Sequence, residues 1–154
     1  MTSYSKYLLF IGLMISVSFA AILVDSCSNL TQEGETYILT SNLVGAPNEL
    51  PNFPDNDKAC IKINASQITL DCNGKTITYN GDGTTPTHAI SLLSVSNVTI
   101  KNCAAILNYT YGIRFENSRY NQILNTTVYN TTYGIYLMSS SDNIITNNTV
   151  HNNT

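Results

Sequence analysis

Residues 111–132 read YGIRFENSRYNQILNTTVYNTT, and residues 133–154 read YGIYLMSSSDNIITNNTVHNNT. Laid on one another without a gap, they are identical at 11 of 22 positions. The matches include Tyr111/Tyr133, Gly112/Gly134, Ile113/Ile135, Asn121/Asn143, Ile123/Ile145, Asn125/Asn147, Val128/Val150 and Asn130/Asn152. A looser copy, HAISLLSVSNVTIKNCAAILNYT, fills 88–110 with one extra residue. Before it, CIKINASQITLDCNGKTI (60–77) aligns CIKI with AISL and ITLDCNG with VTIKNCA. A fixed period of about 22 residues marks a solenoid, in which each unit buries its apolar side against its neighbours.

The residues inside the period select the kind of solenoid. Each unit holds three short β-favouring runs, as at 134–137, 143–146 and 149–151. They alternate with period two: Ile135 and Leu137 face one way, Tyr136 the other. Asn and Ser, which tolerate left-handed turns, sit between them. No window has helical spacing, and the leucine frame of a leucine-rich repeat is absent. Three strands and three turns make one coil of an all-β parallel β-helix, with coils stacked about 4.8 Å apart. Equivalent residues then form columns: Ile90/Ile113/Ile135, Leu92/Phe115/Leu137 and Ile100/Ile123/Ile145 inside, and an Asn ladder of Asn102, Asn125 and Asn147 at one turn.

The composition agrees. The 154 residues carry a net charge of -3 and only 11% charged side chains, but 20 Asn, 19 Thr and 15 Ser. Like charges stacked in a column would repel, so a neutral polar surface suits a solenoid. The five Lys and two Arg form no basic stripe, which argues against nucleic acid. Pro47, Pro51, Pro54 and Pro86 fall in two loops, 44–58 and 80–87, and interrupt no predicted strand.

The N-terminus reads as an export signal. Lys6 precedes the apolar run 7–24, and Ser18 and Ala20 suit cleavage after residue 20. The alternative is an uncleaved membrane anchor through residues 7–24, since about 18 apolar residues can span a bilayer. Both place the remainder outside the cytoplasm, extracellular or in the cell envelope. Cys27, Cys60, Cys72 and Cys103 are an even set, which in an exported chain favours disulfides. Three pairings are possible.

From about Cys27 onward the chain resembles right-handed parallel β-helix proteins with pectate-lyase-like repeats, and more narrowly the NosD-type secreted and surface domains. The resemblance is carried by Cys60-Ile61-Lys62-Ile63, by residues 68–74 (ITLDCNG) and 97–103 (NVTIKNC), and by the two Tyr-Gly-Ile units. It implies a right-handed helix of about four coils (59–87, 88–110, 111–132, 133–154), preceded by an N-terminal cap and loop (27–58) with a strand at 36–43. It also implies disulfides Cys27–Cys60, stapling cap to helix, and Cys72–Cys103, joining adjacent coils. The C-terminal coil carries no cap, so end-to-end association or further coils beyond Thr154 are expected.

Chemistry is sparse. Glu116 and Asp142 are the only carboxylates after Pro86, and they occupy different repeat positions, so no catalytic constellation is expected. Arg114 and Glu116 read as a solvated ion pair on an outer face. Asp55-Asn56-Asp57 with Glu49 reads as a solvated loop, with calcium the alternative. Copper is implied by the NosD resemblance alone, because Met138, His88 and His151 lie apart in the repeat frame. Tyr111, Tyr133 and Tyr136 could stack on sugar rings. Tyr109, Tyr120 and Tyr136 are expected at the surface. Asn-x-Ser/Thr occurs eight times; Asn64, Asn97, Asn130 and Asn152 are the glycan candidates, whereas Asn125 and Asn147 are expected to be tied up in the ladder. These features predict a structural or carbohydrate-associated interaction module of the envelope. The alternatives are a fragment of a larger polysaccharide lyase or hydrolase and, last, a NosD-like copper-associated protein.

Overall fold

The computed structural model describes residues 20–52, 57–81 and 86–154. Residues 1–19, and with them most of the export segment, lie outside it. The described residues contain strands and no helix, arranged as three sheets wound around one apolar axis.

Sheet 1 stacks β1 (Ile22–Val24), β3 (Thr36–Leu39), β7 (Thr69–Asp71), β10 (Thr99–Lys101), β13 (Gln122–Leu124) and β16 (Ile144–Thr146). Sheet 2 stacks β2 (Asn29–Leu30), β6 (Lys58–Ile63), β9 (Thr87–Leu93), β12 (Tyr111–Glu116) and β15 (Tyr133–Met138). Sheet 3 stacks β4 (Leu43–Val44), β8 (Thr76–Thr78), β11 (Ala105–Leu107), β14 (Thr127–Tyr129) and β17 (Thr149–His151). From β2 onward the chain visits sheets 2, 1 and 3 in turn, which is a right-handed parallel β-helix. One short strand breaks the pattern: β5 (Asn48–Glu49) runs antiparallel to β6.

Register follows the repeat. Ile61, Ile90, Ile113 and Ile135 are stacked, as are Ile63, Leu92, Phe115 and Leu137. Leu70, Ile100, Ile123 and Ile145 line the axis from sheet 1; Leu43, Ile77, Ile106, Val128 and Val150 line it from sheet 3. Most of these side chains are fully buried, but Leu137, Ile145 and Val150 of the last coil are 37%, 44% and 46% exposed. Gly112 turns inward, where a Cβ would meet Val128 Cγ1 and the Gly134 carbonyl oxygen. That contact explains the glycine of the Tyr-Gly-Ile motif.

The corners use two devices. The first is a left-handed residue: Asn102, Asn125 and Asn147 between sheets 1 and 3, and Asn108, Asn130 and Asn152 between sheets 3 and 2, all have φ of 49–66°. Asparagine adopts this conformation at low cost. The second is a side-chain oxygen that accepts a backbone N–H from the coil before it. Val98 N donates to Asn121 Oδ1 (2.9 Å), Asn121 N to Asn143 Oδ1 (2.9 Å), and Thr126 N to Asn148 Oδ1 (2.9 Å). Val95 N and Ser118 N use the hydroxyls of Ser118 and Ser140 in the same way.

One expectation changes here. Residues 27–58 are not a separate cap: β2, β3 and β4 are parallel rungs of all three sheets. Their turns use Gly34 and Gly45 at positive φ where later coils use other residues, which hides the repeat from sequence comparison. Residues 22–24, the end of the apolar run, form β1 against β3, with Val24 buried. The disulfides Cys27–Cys60 and Cys72–Cys103 both join neighbouring coils.

Asn121→Ala removes the acceptor of the Val98 amide in a fully buried corner, and is expected to cost about 1–3 kcal/mol in urea unfolding. Asn147→Gly keeps the left-handed turn and removes no side-chain hydrogen bond, so its unfolding midpoint is expected to stay within experimental error.

Candidate functional site

The residues with the richest chemistry lie on the outer face of sheet 2. The β5–β6 pair folds the chain back across this face. Leu50 packs with Ala59 and Leu93 in a small apolar cluster apart from the axial core, and its N–H donates to the Asp57 carbonyl (2.9 Å). Asp57 is thereby held over β9 and β12, only 3% exposed.

Its carboxylate organises a buried polar cluster. Asp57 Oδ2 accepts from His88 Nε2 (3.0 Å) and from Arg114 Nη1 (3.2 Å). Arg114 also donates through Nη2 to Glu116 Oε2 (2.8 Å). His88 is fully buried and Arg114 is 6% exposed. Arg114 and Glu116 are therefore not a solvated pair: the guanidinium lies inside a three-membered ion network, beneath aromatic rings. Burial, aided by the positive charge of Arg114, pushes His88 down to about 3. The neighbouring carboxylate would favour a charged imidazole, but Arg114 shares the same oxygen and offsets that pull. His88 is neutral at physiological pH, and its Nε2–H donates to Asp57 Oδ2.

Aromatic rings cover the cluster. Tyr111 and Tyr133 stack across coils (centroids 4.9 Å, planes 14° apart), and Tyr136 is inclined to both (5.3 and 5.4 Å; 63° and 59°). Arg114 lies 4.8 Å from the Tyr111 centroid and 5.7 Å from that of Tyr136, within cation–π range. His88 meets Tyr111 edge-on at 4.8 Å. The stacked pair spends ring faces on each other. Tyr136, tilted out of the stack, and Tyr133, 43% exposed in the last coil, are the rings best placed for a ligand.

Other sequence candidates disperse. Tyr120 is exposed, but Tyr109 is buried: its hydroxyl donates to the Gly45 carbonyl (2.7 Å), and burial, with Tyr79 beside it, pushes its pKa well above that of a free phenol. Asn125 Nδ2 reaches Asn102 Oδ1 at 3.5 Å, whereas Asn147 makes no side-chain hydrogen bond among the described residues. His151 stacks on Tyr129 of sheet 3 (5.1 Å). Asp55 and Asn56 lie outside the described residues; Asp57 faces inward, and Glu49 stays exposed on β5.

Sequence reasoning missed the Asp57–His88–Arg114 cluster. The repeat frame places His88 beside Tyr111 and Ser91 beside Arg114. Asp57 lies off that frame, in a loop with no counterpart in later coils, so its partner surface carried no signal.

Parallel strands in three sheets, wound coil on coil and cross-linked by disulfides, define the class: a right-handed parallel β-helix solenoid. The family described as periplasmic copper-binding protein (NosD) matches residues 48–154, from β5 to β17, and the chain belongs to that family. No curated protein and no solved structure matches it. Of the three functional readings the sequence offers, the NosD-like one fits this match best. A periplasmic family is in keeping with an extracellular or envelope location.

The described residues do not fit a copper site. His88 is bound to Asp57, His151 stacks on a different sheet, and all four cysteines are in disulfides. Among the described residues no three His, Cys, Asp or Glu side chains group as metal ligands.

The neutral His88 fixes a pH dependence. An unfolded chain takes up a proton on this imidazole below about 6.5, whereas the folded chain does so only near 3. The contribution of His88 to stability is therefore fully present above about pH 6.5 and is lost as pH falls from there toward 3. His88→Gln keeps a donor for Asp57 and removes the titration, so unfolding midpoints between pH 6.5 and 4 should fall less steeply than in the parent chain.

Proposed function

We propose that the protein is an exported, non-catalytic β-helix module of the cell envelope that binds carbohydrate on the outer face of sheet 2. The observation that carries this reading is the tyrosine group of Tyr111, Tyr133 and Tyr136, braced from behind by Arg114. Aromatic rings held rigidly on a sheet offer apolar area to a sugar face at little entropic cost. Arg114 engages the carboxylates of both Asp57 and Glu116, which suits a passive face better than acid catalysis. This weighs against the lyase or hydrolase alternative. Copper association draws support from the family description and none from a donor cluster among the described residues.

Titration with neutral cello-, xylo- and chito-oligosaccharides, followed by NMR, tests the proposal. Shifts are expected at Tyr133 and Tyr136. Tyr136→Ala is expected to weaken the affinity about tenfold, the loss of about 1.4 kcal/mol of stacking. Tyr129→Ala, on sheet 3, should leave it unchanged. Binding to none of these sugars, or equal binding by Tyr136→Ala, would refute the carbohydrate role.

A further inference from the structure

A second feature lies at the corner between sheets 3 and 2. Asn108, Asn130 and Asn152 form an axial row there, each exposed and each left-handed. Each begins an Asn-x-Thr sequence, completed by Thr110, Thr132 and Thr154. The row borders a groove of about 400 Å3 with no charged side chain in its lining.

Corner geometry accounts for asparagine in this row, but not for its unspent amide. Three other Asn side-chain nitrogens on these coils are committed, Asn143 Nδ2 to the Ser118 carbonyl (3.1 Å), Asn148 Nδ2 to the Ile123 carbonyl (2.8 Å) and Asn125 Nδ2 to Asn102 (3.5 Å), whereas Nδ2 of the buried Asn121 has no partner among the described residues. No hydrogen bond among the described residues holds Nδ2 of Asn108, Asn130 or Asn152. The hydroxyls separate the three. Thr110 is half-buried and accepts from Thr87 N (3.2 Å), whereas Thr132 and Thr154 are exposed.

We propose that this corner carries one N-linked glycan, on Asn130 or Asn152, with the groove beside it accommodating the first, uncharged sugar. The donor is a polyprenyl-phosphate-linked oligosaccharide, acted on by a membrane oligosaccharyltransferase. Asn Nδ2 attacks the sugar C1, the C1–O bond to phosphate breaks, the lipid phosphate leaves with that electron pair, and Nδ2 loses one proton. The two asparagines sit on neighbouring coils about 4.8 Å apart, closer than two sugar rings pack side by side. One glycan therefore excludes the other. The site requires export, but not the sugar-binding role of sheet 2.

The test is secretion of the full chain from a host that N-glycosylates a co-expressed reporter, followed by intact-mass measurement and chymotryptic glycopeptide mapping. Single occupancy is expected at Asn130 or Asn152. Asn130→Gln should move the glycan to Asn152, and the reverse variant should move it back. An unmodified corner in a host that modifies the reporter overturns the site. Molecules glycosylated on both asparagines overturn the exclusion.

Discussion

The structure depends on how its corners satisfy backbone N–H groups. A three-residue strand pairs its own amides with the coils on either side, but the chain must then turn within one or two residues. The amides at such a turn fall outside the ladder, and burying one without a partner costs as much as losing a hydrogen bond. Here the partner is a side-chain oxygen one coil further on: Asn121 for Val98, Thr126 for Cys103, Asn143 for Asn121, Asn148 for Thr126 and Asn153 for Thr131. Each bond spans 22 or 23 residues, so the repeat length and the corner chemistry constrain one another. The abundance of Asn, Ser and Thr is the compositional trace of this arrangement.

A stack so uniform offers little chemistry until something departs from the repeat. The departure is the β5–β6 pairing, which lays Asp57 across sheet 2 and buries His88 and Arg114 beneath it. Arg114 lies there between two carboxylates, with His88 uncharged, so the acidic groups outnumber the cation by one. The tyrosines above this network gain rigidity from it. The outer face of sheet 2 is thus a group of tyrosines packed over a buried ion network.

The axial columns were legible because inward positions repeat every coil: Ile90, Ile113 and Ile135 align in sequence and in space. Cross-coil stacking of Tyr111 on Tyr133 followed from the same register. The Asn ladder was only half legible. Spacing picks out Asn102, Asn125 and Asn147, yet the oxygens that hold the corners belong to Asn121, Asn143 and Asn148, because left-handed residues and acceptors occupy different places in the turn. The first coil escaped notice because its turns use glycine. The Asp57 cluster escaped because an ion network formed by a loop insertion has no period.

Amide hydrogen exchange resolved by residue tests the corner account most directly. Val98, Cys103, Asn121 and Thr126 lie outside or at the ends of strands, where a conventional turn would exchange within seconds to minutes. With their hydrogens held by side chains of the next coil, they should exchange as slowly as Ile100 and Ile123 within sheet 1. Exchange at the rate of exposed turns such as Ser139 would show that the corners are not held in this way.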